Sequence, residues 1–101
     1  VSSNLRDFAR FGMLCAPSWD KIATEQVVAD EILDRMCDWL RPHDFMMNSF
    51  HGPAFTEYMG GDDSIATGRQ WDLFWPDGDI WKGGLLTQGL YVSPSRDLVI
   101  A

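Results

Sequence analysis

The sequence is poor in positive charge: 8 Lys and Arg stand against 15 Asp and Glu, a formal net charge of −7. A field of that sign repels phosphate backbones, so nucleic acid is excluded as an expected partner. Long apolar runs are missing too. No stretch approaches the roughly 20 apolar residues that a membrane-spanning helix needs, and Val1-Ser2-Ser3-Asn4 lacks the basic and then apolar opening of a targeting signal. Cysteine is scarce: Cys15 and Cys37 lie in apolar helical patterns outside any C-x-x-C or disulfide framework, and both read as small buried residues. His43, Asp44 and His51 match no metal-ligand spacing and read as loop residues in water, so neither metal nor cofactor is expected.

What the chain does have is apolar bulk. At 101 residues, 46% apolar and with five Trp, it can bury one core and reads as a single domain over residues 1–101. The start at Val1 without an initiator Met, and the apolar β-type run Leu98-Val99-Ile100-Ala101 at the other end, suggest a piece of a larger protein. Apolar surface meant for the remainder would then be hidden by self-association when this chain folds alone.

The first half has helical periodicity. Ser3 is placed to cap a helix over about residues 4–15, with Leu5, Phe8, Ala9 and Gly12 on one face. Pro17-Ser18-Trp19-Asp20 reads as a turn. Thr24 then caps a longer helix, with Glu25 in its first turn, that buries Val28, Ile32, Met36, Trp39 and Leu40 and stops at Arg41-Pro42. Residues 42–68 show no periodicity and read as irregular chain, with Asp62 and Asp63 as turn formers.

The second half has strand grammar. Trp71 to Trp75 alternates, and Pro76-Asp77-Gly78-Asp79 turns, its acids included as turn formers. Ile80 to Lys82 and Gln88 to Ser93 are strand-like, Ser93-Pro94-Ser95-Arg96-Asp97 turns, and Leu98 to Ala101 resumes. Trp71, Trp75 and Trp81 are expected to pack a core. Helices first and an antiparallel meander afterwards predict an α+β fold, with N-terminal helices packed on a C-terminal antiparallel sheet.

The residues that carry chemistry in this pattern are Lys82-Gly83-Gly84. A lysine offers positive charge to a substrate carboxylate or a developing anion, and two glycines permit close backbone approach; the plainer reading is a bulged strand with a solvated lysine. Two stretches resemble the serine β-lactamase and penicillin-binding-protein-like hydrolases, class C-like enzymes and related esterases included. Leu5-Arg6-Asp7-Phe8-Ala9-Arg10-Phe11-Gly12 is similar to a helix of that family, and residues 82–100 are similar to its C-terminal strand-turn-strand. The resemblance implies part of the β-lactamase/transpeptidase-like fold. It also implies hydrolysis of a small-molecule amide or ester through an acyl-enzyme, with Lys82, Gly83 and Gly84 binding substrate and the backbone N–H of Leu85 as an oxyanion-hole donor. Gly83 departs from the family's Thr or Ser and removes a hydroxyl that would recognise a carboxylate.

The family's nucleophile motif, Ser-x-x-Lys, is matched only by Ser18-Trp19-Asp20-Lys21, where Pro17 and Asp20 make Ser18 a turn residue. No Tyr-x-Asn occurs. The expectation is an enzyme part without its nucleophile, inactive alone. The alternative is a stand-alone binding or assembly module on the same scaffold.

Overall fold

The computed structural model describes residues 3–38, 53–54, 57, 60, 64–68, 70–84, 86 and 88–101. Among these, the fold is α+β: helices α1 (Leu5–Met13) and α2 (Asp30–Asp38) and a sheet of β1 (Ala66–Gly68), β2 (Trp71–Phe74), β3 (Ile80–Gly83), β4 (Gly89–Ser93) and β5 (Leu98–Ile100). The sheet is an antiparallel meander in the order β1-β2-β3-β4-β5. Short 3₁₀ turns cover Pro17–Lys21 and Pro94–Arg96.

Helix α1 is capped by Asn4, one residue later than the expected Ser3. Asn4 Oδ1 accepts from the Asp7 N–H at 2.9 Å while its Nδ2 donates to Asp7 Oδ2 at 2.7 Å, and Asp7 adds negative charge to the positive first turn. Of the face expected to be buried, Gly12 is buried and Phe8 and Ala9 are half-buried, but Leu5, the first residue of the helix, is 68% exposed. Gly12 is where α1 meets β4 and β5. A Cβ there would lie 2.7 Å from Val99 Cγ1 and 2.9 Å from Leu90 Cδ1, so the helix can approach these strands only without a side chain.

The second helix is shorter than the sequence pattern suggests. It starts at Asp30, not after Thr24, and Thr24 and Glu25 are exposed in irregular chain. Ile22, Thr24, Val27 and Val28 are β-branched and resist helix entry, whereas Asp30 and Glu31 favour a first turn, and Gln26 Nε2 donates to Asp30 Oδ1 at 2.8 Å. The inward face is Leu33 and Met36, and Ile32 is 48% exposed. Trp39 and Leu40, the rest of the expected stripe, lie outside the described residues, as does the Cys37 side chain. Strand β1 lies inside the segment expected to be irregular; three residues are too few for a period-two pattern to show.

Alternation along the strands supplies two apolar clusters. Phe74, Ile80, Leu90 and Val92 join Cys15, Ala16 and Met36 under the helices, with Phe8, Val28, Leu33, Trp71 and Val99 packed against them. Leu73, on the other side of its strand from Phe74, joins Ile65, Trp75 and Trp81. Leu90 and Val92 are 0% exposed, and burial of each contributes about 1.5–3 kcal/mol. Burial also pushes the Cys15 thiol above its ordinary pKa, which keeps it protonated and inert.

Candidate functional site

Strand β3 carries the residues singled out by the sequence, and its neighbours decide what those residues meet. The turn into it is closed by Trp75 N–H to Asp79 O at 2.9 Å and Gly78 N–H to Trp75 O at 3.0 Å, with Gly78 at φ +89°. The ladder between β2 and β3 pairs Leu73 with Trp81 and Phe74 with Ile80. One step further along, Asp72 comes opposite Lys82.

There a side chain replaces the ladder. Lys82 Nζ donates to Asp72 Oδ1 at 2.6 Å, and the Gly83 N–H donates to Asp72 Oδ2 at 2.7 Å, so each carboxylate oxygen is held by one donor. The two side chains are 42% and 38% exposed, which places the pair at the surface. The Gly84 N–H turns the other way and donates to Gln88 O at 2.9 Å. Leu85, expected to offer an oxyanion-hole N–H, lies outside the described residues.

The glycines have an internal reason. Gly83 and Gly89 pair across β3 and β4, and the Trp81 indole lies over both. A Cβ on Gly83 would be 2.4 Å from Trp81 Cη2, and one on Gly89 would be 3.1 Å from Trp81 Nε1. The close approach at Gly83 is therefore made by the protein's own indole, and a Thr or Ser at this position would collide with it.

Ser18 and Lys21 are not brought together as a nucleophile and its base. Ser18 sits half-buried in the first 3₁₀ turn, where its N–H donates to Asp97 Oδ1 at 2.9 Å and its Oγ donates to Asp97 Oδ2. Lys21 Nζ pairs with Asp20 at 3.4 Å on a side chain 70% exposed. The bonds from Ser18, hydroxyl and backbone, hold the Asp97 carboxyl below the usual carboxylate range, aided by the charge of Lys21. So weak a base does not activate a hydroxyl.

A second polar cluster was not legible as such. Asp79, read as a turn former, is 3% exposed at the start of β3. Tyr91 Oη and Arg96 Nη1 both donate to its Oδ2, and Arg96 Nη1 also reaches Tyr91 Oη at 2.9 Å and Ser93 Oγ at 3.0 Å. Arg96 Nη2 extends to Asp77 Oδ2 at 3.2 Å, and Trp75 meets the Tyr91 ring edge-on at a centroid distance of 6.1 Å. Burial pushes the Asp79 carboxyl up, but hydrogen bonds from Ser93, Tyr91 and Arg96, with the Arg96 charge, outweigh it and hold the carboxyl below its usual range. The bond to Asp79 raises the Tyr91 phenol above its ordinary value. This cluster fastens the Pro94–Arg96 turn to the sheet through Nη1 and Nη2 of its arginine.

Among the described residues, clefts of about 260 Å³ each flank the helices. One is lined by Leu33, Met36, Phe74, Ile80, Pro94 and Ser95, another by Cys15, Trp19, Val28, Leu33 and their neighbours. Neither is lined by Lys82. Among the described residues no group of three or more His, Cys, Asp or Glu gathers as a metal site, and no helix is long and apolar enough to cross a membrane. His43, Asp44, His51, Asp62 and Asp63 lie outside the described residues. The member of the candidate site that sequence reading missed is Asp72. Counting outward from the Pro76-Asp77-Gly78 turn would have set it opposite Lys82.

Comparison of the chain with protein-family models, with curated proteins and with solved structures returns no match.

Proposed function

We propose that this chain is the C-terminal part of a serine hydrolase of the β-lactamase and penicillin-binding-protein kind, acting on an amide or ester through an acyl-enzyme. The nucleophilic serine lies outside residues 1–101, and this part supplies the Lys82-Gly83-Gly84 strand and the Leu85 N–H. One observation carries the reading. The two stretches that resemble the family are far apart in sequence, yet they form one packed unit through Gly12 against Leu90, Val92 and Val99. That packing is what a common origin of the two stretches in one such fold requires.

Two further features support it. The Ser18-Trp19-Asp20-Lys21 match does not assemble a nucleophile and its base, since Ser18 Oγ donates to Asp97 and Lys21 pairs with Asp20. Leu5 and Phe11 on α1, and Leu98 and Ile100 on the face of edge strand β5 turned away from α1, are exposed apolar residues that the rest of such an enzyme could cover. In that enzyme Lys82 lines the substrate's position at the end of β3, with its ammonium paired to Asp72.

Reading the genomic DNA upstream of the Val1 codon tests this. The expected result is a continuous reading frame encoding Ser-x-x-Lys and, after it, Tyr-x-Asn. A start codon directly before Val1, with no such frame, overturns the proposal and leaves a stand-alone binding or assembly module.

A further inference from the structure

We propose that Asp72 is a built-in counter-ion that closes the carboxylate-binding pair of this strand, so that the substrate is uncharged where it meets Lys82. That the ligand is a substrate rests on the hydrolase reading above; the ion pair itself does not depend on it. An ammonium and a backbone N–H side by side are the donors that recognise a carboxylate, one for each oxygen. Here Lys82 Nζ and the Gly83 N–H are so disposed, and Asp72 already fills them at 2.6 and 2.7 Å.

The geometry distinguishes this from an ordinary surface ion pair. An ordinary cross-strand pair engages two side chains, whereas Asp72 also takes a backbone donor of β3, at the point where the β2–β3 ladder has ended at Leu73 and Trp81. The pair is reachable from solvent, with Lys82 42% and Asp72 38% exposed, so a ligand could arrive there if the donors were open. Gly83 brings no hydroxyl to the same spot, and the space for one is taken by Trp81. An external carboxylate must therefore displace an intramolecular one already in place, against a chain of net charge −7. A neutral ester or amide meets no such competition.

The test uses this chain, isotopically labelled, with acetate as the probe and acetamide as its neutral counterpart, following the Gly83 amide resonance. Asp72→Ala should bind acetate at least about tenfold more tightly than the parent, with acetamide unchanged. Asp72→Asn, which keeps the side chain's shape and an acceptor for the Gly83 N–H, should show a smaller gain in the same direction and serves if the alanine variant does not fold. Adding Lys82→Gln to either variant should abolish the gain. A parent that binds acetate as tightly as the variants, or variants that gain nothing, overturns the proposal. No turnover is read, so this outcome is independent of the upstream reading frame that decides the hydrolase assignment.

Discussion

The two ends of strand β3 hold carboxylates in opposite ways. At its start Asp79 is buried, and its Oδ2 is bonded by Tyr91 and Arg96 from β4 and the turn that follows. At its end Asp72 lies half in solvent, bonded by one ammonium and one backbone N–H of β3 itself. Burial of Asp79 makes the first network a fastening: a donor removed leaves that carboxylate with uncompensated polarity, and its Oδ1 is already buried without a partner among the described residues. Exposure makes the second network replaceable, because water takes over whatever a ligand or a mutation displaces. The difference separates a structural carboxylate from one suited to govern binding.

The sharpest way to break this contrast is to neutralise each acid in turn. Asp79→Asn should lower unfolding stability by about 2 kcal/mol in urea titrations, since it removes charged hydrogen bonds in a dry site. Glycine is the next lever. Gly83→Ala should cost about 1–2 kcal/mol by forcing the Trp81 indole off Gly83, and the tryptophan emission should shift with it.

Acid and alkali should act on the Asp79 end through two windows. The Asp79 carboxyl lies below its ordinary 3.8, so its contribution is complete above that value and is lost as the pH falls through the lower, folded-state value. Asp97, likewise lowered by Ser18, fades in the same acid window. The Tyr91 phenol lies above its ordinary 10.0, so its contribution is complete below that value and is lost as the pH rises through the higher, folded-state one. Stability measured against pH should thus fall at both extremes, and Tyr91→Phe should reduce the alkaline fall, leaving the part due to the raised Cys15 thiol, while keeping most of the acid one. The smallest effect belongs to the other end of β3: Lys82→Gln should change stability by less than about 1 kcal/mol.

The same contrast explains what the sequence made legible. Strands β2 to β5 were readable because period-two alternation and the Pro76-Asp77-Gly78 and Pro94-Ser95-Arg96 turns are local signals. The α2 boundary was not, because Val28 and Ile32 fit a helical stripe at a spacing that the β-branched run before Asp30 does not sustain. At the site, Lys82 and the glycines were visible as a motif, but their occupants were not. That Trp81 covers Gly83, and that Asp72 neutralises Lys82, depends on register and side-chain direction across strands. Asp79 was misread for the same reason: an acid beside a turn is ordinarily a solvated turn former, and only Tyr91 and Arg96, 12 and 17 residues later, make it a buried one.

Active-site labelling decides whether this chain is, as proposed, part of a serine hydrolase whose nucleophile lies elsewhere. The protein expressed from its own complete gene is treated with a fluorophosphonate, digested, and the modified serine located by mass spectrometry. A single labelled serine is expected upstream of Val1, in a Ser-x-x-Lys sequence, with Ser18 and Ser93 unmodified. Labelling at Ser18, lost in Ser18→Ala and accompanied by a burst of product from a chromogenic ester, would contradict it and place the nucleophile within these 101 residues.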